Sequence, residues 1–164
     1  MKRSAAGFLL LVVLAAGAFV ALSAMVLLHT PTAQAAAGGL AQKIFYFHVP
    51  AAYAMYLSGS VCCIASAAYL LRPTERRNAL AHATAECAVA FGALVMVSGP
   101  LWAKQAWGVY WTWEPRLTTS LLSVLVYASA VVLRATGGDD PTLRKGAAAL
   151  GVLGTANLPI IHLS

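Results

Sequence analysis

All four tryptophans of this 164-residue chain, Trp102, Trp107, Trp111 and Trp113, fall within a single stretch of twelve residues. Flat indole faces at that density form a platform for a large planar apolar ligand. Lys104 and Arg116 flank the cluster, and cations there can neutralise carboxylates at such a ligand's edge. Glu114 either holds Arg116 in position or stands as a solvated interface residue. The alternative is an interfacial aromatic belt, because indole rings favour the headgroup level of a bilayer. A belt distributes its rings over both interfaces, whereas here every tryptophan belongs to one connecting segment. The other residues with chemistry to offer are His29, His48, His82 and His162, and Cys62, Cys63 and Cys87. Two adjacent cysteines inside an apolar run suit neither a disulfide framework nor a CxxC motif. All three therefore read as small buried apolar residues.

The elements that must position these groups follow from composition. The chain is 60% apolar and 10% charged, where a soluble domain carries about 25% charged residues. That excludes a soluble enzyme, a disordered tail and a nucleic-acid-binding domain. A spanning helix needs about 20 mostly apolar residues. Five stretches approach that length: Gly7–Leu28, Pro50–Leu71, Glu86–Trp102, Thr118–Leu133 and Gly146–Leu163. They lack the alternation of barrel strands, and lipid obliges the backbone to satisfy its own hydrogen bonds. The expected fold is all-α, a polytopic transmembrane bundle of about five helices forming one membrane domain over residues 1–164. Residues 103–117 form its tryptophan-rich connecting loop, and Gly137-Gly138-Asp139-Asp140-Pro141 reads as a turn.

Charge sets the direction. The net charge of +6 forms no patch, since the eleven Lys and Arg lie between apolar runs. With the N-terminus cytoplasmic, eight of them (Lys2, Arg3, Arg72, Arg76, Arg77, Arg134, Arg144 and Lys145) fall inside, and three (Lys43, Lys104 and Arg116) fall outside. A rival reading takes Met1-Lys2-Arg3, the first apolar run and Ala33-Gln34-Ala35 as a secretory signal. A run of about 22 residues exceeds the 7–15 of a signal core, so the first segment is expected to remain as a helix.

This topology puts His48 and His162 on the same membrane face as the tryptophan loop. Proline fits the first turn of a helix, so Pro50 sets His48 at the outer mouth of the second helix, and His162 lies at the outer end of the fifth. Either histidine alone could simply cap a helix end. Together, two neutral imidazoles beside an aromatic platform match the axial arrangement of a porphyrin iron. His29 is also outside but sits in no motif. His82 and Glu86 share one side of a helix on the opposite face, which favours a local contact over a metal site.

The stretch Trp107-Gly-Val-Tyr-Trp-Thr-Trp-Glu-Pro-Arg-Leu-Thr118 resembles the tryptophan-rich signature of the haem-handling proteins of cytochrome c maturation, and within them the haem exporter protein C (CcmC) type. Ser98-Gly99-Pro100-Leu101-Trp102-Ala103-Lys104 is similar to a second stretch of that family, and Phe45-Tyr46-Phe47-His48-Val49-Pro50-Ala51 to its entry into the second helix. The similarity runs from about Ile44 to His162. It implies a non-enzymatic, multi-pass protein of the bacterial inner membrane that binds haem b on its periplasmic side. By the resemblance, His48 and His162 are the axial ligands, and the loop contribution falls on Trp107, Gly108, Trp111, Trp113, Arg116, Leu117 and Thr118. Tyr110 stands where the family usually has Trp, and Glu114 where it has Asp, preserving an aromatic face and a charge. The implied partners are the haem chaperone CcmE, the small membrane protein CcmD and the ABC transporter CcmA with CcmB. The family usually has six helices, and this chain ends where the sixth would begin.

Two other classes compete. A synthetase-type haem–protein lyase uses the same loop but is larger, with a soluble domain. A redox subunit carrying quinone or b-type haem would place histidines at mid-helix, and the apolar segments contain none. A transporter is disfavoured because no repeated half or broken-helix pair is present.

Overall fold

A computed structural model of the chain describes residues 5–34 and 38–163, the His162 side chain apart. Among the described residues there are helices and no strands, as the composition requires. They are α1 (Ala5–His29), α2 (Phe45–Leu71), α3 (Glu75–Trp107), α4 (Pro115–Gly137), α5 (Pro141–Ala156) and α6 (Leu158–Leu163), with a 3₁₀ segment at Gly39–Ile44 leading into α2. Ala5–His29, Gly39–Leu71, Glu75–Trp107 and Pro115–Gly137 are long and apolar enough to cross a membrane. This is a multi-pass membrane protein.

The chain packs as two compact units that divide between Tyr46 and Phe47. In the first, α1 buries only Val26 and otherwise presents apolar side chains outward. Lys43, itself buried, donates from Nζ to the Leu27 carbonyl at 2.7 Å, placing a cation where the last carbonyls of α1 lack helical partners. Lys2, Arg3 and Ala35, on which the signal-peptide alternative rested, lie outside the described residues.

The second unit is sorted by side-chain size. On α3 the buried positions Ala81, Ala85, Ala88, Gly92 and Val95 recur every three or four residues, as do Ser120, Ser123, Tyr127, Ala130 and Arg134 on α4. Many leucines point outward, among them Leu57, Leu80, Leu94, Leu122, Leu125 and Leu153. Lipid is as apolar as leucine, so association rests on close approach of small-residue faces rather than on a hydrophobic core. At Gly151 an added Cβ would stand 2.6 Å from Ser66 Oγ and 3.1 Å from Cys62 Sγ, so α5 lies on α2 without room for a methyl group. Across the same seam Thr155 donates to the Gly59 carbonyl and pairs with the Tyr127 hydroxyl, both at 2.8 Å, joining α2, α4 and α5.

Several expected boundaries move. The third span starts at Glu75 rather than Glu86, because Thr74 caps its N-terminus and accepts from the Arg77 N–H. It ends at Trp107, with Gly108 in the left-handed region (φ 78°). The expected loop 103–117 is therefore irregular only over 108–114, since 103–107 complete α3 and 115–117 open α4. α2 begins at Phe45, so Pro50 lies inside the helix rather than at its start. The expected fifth span divides into the 16-residue α5 and the six-residue α6. Asn157 fills the break, donating from Nδ2 to the Thr119 carbonyl at 2.6 Å and to Ser123 Oγ at 2.9 Å. Of the cysteines only Cys62 is fully buried; Cys63 is half-buried and Cys87 is exposed. The turn after α4 is present, with Asp140 accepting from the Thr142 N–H at 2.7 Å.

Candidate functional site

Four successive antiparallel helices bring the start of α2, the end of α3, the start of α4 and α6 to one end of the second unit. A cavity of about 480 Å³ opens there. His48 enters it from α2, Gly99 from α3, Arg116 and Leu117 from α4, and Ile161 and Leu163 from α6. Met55 and Met96 contribute polarizable apolar walls, while Tyr56 and Ser120 bring hydroxyls. Arg116 stands one residue after Pro115, in the first turn of α4. The positive end of the α4 dipole lies in that turn beside its guanidinium, so this side of the cavity favours an anion.

The His48 imidazole is fixed from α3. Its Nδ1 lies 2.9 Å from Ser98 Oγ, and Ser98 Oγ in turn donates to the Leu94 carbonyl at 2.6 Å. The ring also passes close to Gly99, where an added Cβ would meet Cε1 at 3.4 Å. Pro100, next in sequence, lacks the N–H that would bond the Met96 carbonyl. A second cavity of about 500 Å³ lies on the other flank of His48, among Val49, Tyr53, Thr155, Leu158 and Pro159. His48, Ala52 and Tyr56 line both cavities.

Of the residues singled out from sequence, the structure brings His48, Arg116 and Leu117 into one cavity. His162 belongs to α6, whose Ile161 and Leu163 line the same cavity, but its side chain lies outside those described. Trp107, Gly108, Tyr110, Trp111, Trp113 and Glu114 are not among the cavity's lining residues. They form an aromatic structure of their own at this end. Trp102 and Trp107 meet edge to face at 5.3 Å, as do Trp111 and Trp113 at 5.6 Å. Lys104 stands 5.4 Å above the Tyr110 ring and donates to the Gly108 carbonyl at 2.8 Å. Trp107, Tyr110 and Trp113 are exposed. Trp111 Nε1, Glu114 Oε1 and Thr118 Oγ1 are buried without a hydrogen-bond partner, so Glu114 does not use that oxygen to hold Arg116.

Sequence reasoning missed Ser98, Tyr56 and Met96 as site residues. Ser98 stood within a stretch already noted, and its spacing of four from Leu94 was the one available signal. At the opposite end His82 and Glu86 approach to 3.6 Å, the local contact their spacing suggested. No cluster of three or more His, Cys, Asp or Glu able to hold a bare metal ion occurs among the described residues.

The family model described as heme exporter protein C matches residues 2–164. The chain is 35% identical over 126 residues to a protein of Bradyrhizobium diazoefficiens named heme exporter protein C, covering 77% of this chain and 48% of that one. It is 33% identical over 128 residues to the Escherichia coli K12 protein of the same name, covering 77% and 51%. A Marchantia polymorpha protein named putative cytochrome c biosynthesis ccmC-like mitochondrial protein is 30% identical over 122 residues, covering 74% and 51%. The chain thus matches about half the length of each of these relatives.

Proposed function

Because the chain belongs to the haem exporter protein C family, we propose that it handles haem during cytochrome c maturation, as a carrier rather than an enzyme. The observation that carries this reading is the meeting of an imidazole and a guanidinium, His48 and Arg116, in one mostly apolar cavity. Those are the three chemistries a haem presents: iron for a nitrogen donor, propionates for a cation, and a wide apolar ring for methionine and aliphatic walls. His48 serves as one axial ligand. His162, one residue from two lining positions of α6, serves as the other. Arg116 and the first turn of α4 take the carboxylates.

Delivery follows from the exposed rings. Trp107, Tyr110 and Trp113 offer flat faces at the same end as the cavity, where a partner can receive haem without entering the bilayer. Ligands at a helix mouth hold iron yet leave one edge open to exchange. In this reading the site faces the periplasm, the membrane is the bacterial inner membrane, and the cargo is haem b. The recipient is the chaperone CcmE, with CcmD and the CcmA/CcmB transporter as further partners. The loop contribution comes from Trp107, Gly108, Tyr110, Trp111, Trp113, Glu114, Arg116, Leu117 and Thr118.

The test is the haem content of the detergent-purified protein. Combining His48→Ala with His162→Ala should remove most of the haem absorbance, and unchanged content would refute the ligand assignment. Covalent attachment of haem to an apocytochrome by this chain alone would overturn the carrier reading in favour of a synthetase.

A further inference from the structure

We infer that Ser98 is the positioning residue for His48: it holds the proton of that imidazole on Nδ1 and leaves Nε2 as the ring's one lone-pair nitrogen. A serine hydroxyl has a single proton to donate. Ser98 Oγ lies 2.6 Å from the Leu94 carbonyl oxygen, and two oxygens that close repel unless a proton lies between them. The serine proton is therefore committed to Leu94. At the 2.9 Å contact with His48 Nδ1, Ser98 can then only accept, so Nδ1 must carry the hydrogen. A neutral imidazole protonated at Nδ1 is basic at Nε2.

The geometry supports more than a tautomer. Ser98 is tied to its own helix through Leu94, so its oxygen is a fixed point rather than a rotor. Gly99 lies against the same ring, with room for ordinary contact at Cε1, and lines the cavity that His48 lines. α3 thus fixes the plane of a side chain that α2 carries. Partners of this kind orient a ligating histidine and raise its basicity, and losing one typically costs about 10–100-fold in affinity for the metal.

This inference rests on the reading of His48 as a haem ligand, so the test has two arms. In the first, full-length protein without haem is labelled with ¹⁵N-histidine, and the His48 signal is identified by its loss in His48→Ala. Wild type should show hydrogen on Nδ1, Ser98→Ala should move it toward Nε2, and Ser98→Thr should restore it. Hydrogen on Nε2 in wild type would overturn the inference whatever haem does. In the second, the same proteins are titrated with ferric protoporphyrin IX and followed by absorption. Ser98→Ala should weaken binding about tenfold at unchanged helicity, with Ser98→Thr close to wild type. Wild-type binding by Ser98→Ala, where His48→Ala binds weakly, would refute the positioning role alone. Wild-type binding by His48→Ala would refute the ligand reading instead, and with it any role for Ser98 in holding haem.

Discussion

Gly59 and Tyr127 offer a test of the small-residue packing that sets the helices in place. An added Cβ at Gly59 would stand 2.5 Å from Tyr127 Oη, 3.0 Å from Leu158 Cδ1 and 3.2 Å from Tyr127 Cζ. Gly59→Ala therefore forces the tyrosine or the helix to shift, and overpacking of this kind costs about 1–3 kcal/mol. Better helix propensity returns about 1 kcal/mol of that. Tyr127→Phe alone removes the pairing with Thr155, worth about 0.6 kcal/mol and at most about 1.7 kcal/mol between membrane helices. It also deletes the atom that the new methyl group would strike. The double variant should therefore be more stable than the sum of the single effects by about 1 kcal/mol, within the coupling typical of touching residues. The assay is unfolding in mixed micelles over a denaturing-detergent gradient, followed by helicity. Effects that add to within about 0.5 kcal/mol would show that the two residues do not share this space.

Other consequences concern the opposite end. Arg134 is buried, and none of its guanidinium nitrogens has a hydrogen-bond partner. Arg134→Met should stabilise the fold by about 1 kcal/mol or more and so raise the unfolding midpoint, because an uncompensated buried charge is removed; a lowered midpoint would mean the guanidinium is paired. Arg144 reaches Glu75 at 2.8 Å and Asp139 at 2.5 Å, but both carboxylates are exposed. Arg144→Ala should cost no more than about 1 kcal/mol, and less at high salt. A larger loss, insensitive to salt, would make this network a principal clamp between α3 and the α4–α5 turn.

Much of this was legible in the residues, and the failures have physical causes. Long apolar runs announced α1 to α4 because lipid imposes length and composition on a spanning helix. Hydropathy could not find where α3 begins, since Arg76, Arg77 and Asn78 are polar and the helix there is set by the Thr74 cap. The break at Asn157 was readable from Pro159, which suits the first turn of a new helix. His48 and Arg116 stood out by type and by place on the topology. Ser98 and Tyr56 did not, because which helical face meets the cavity depends on packing against neighbours that hydropathy does not encode. The tryptophans were conspicuous by density, which says nothing of whether each ring meets a ligand or another ring. Their rings pair with one another, Trp102 with Trp107 and Trp111 with Trp113, while aliphatic and methionine side chains line the cavity.

The central claim is that His48 ligates haem iron in the cavity it shares with Arg116. A resonance Raman spectrum of the purified, haem-loaded protein tests it most directly, with wild type set beside His48→Ala. Wild type should show a six-coordinate, low-spin haem, and the variant should lose that signature with an imidazole gone from the iron. An identical six-coordinate spectrum in both proteins would contradict the claim.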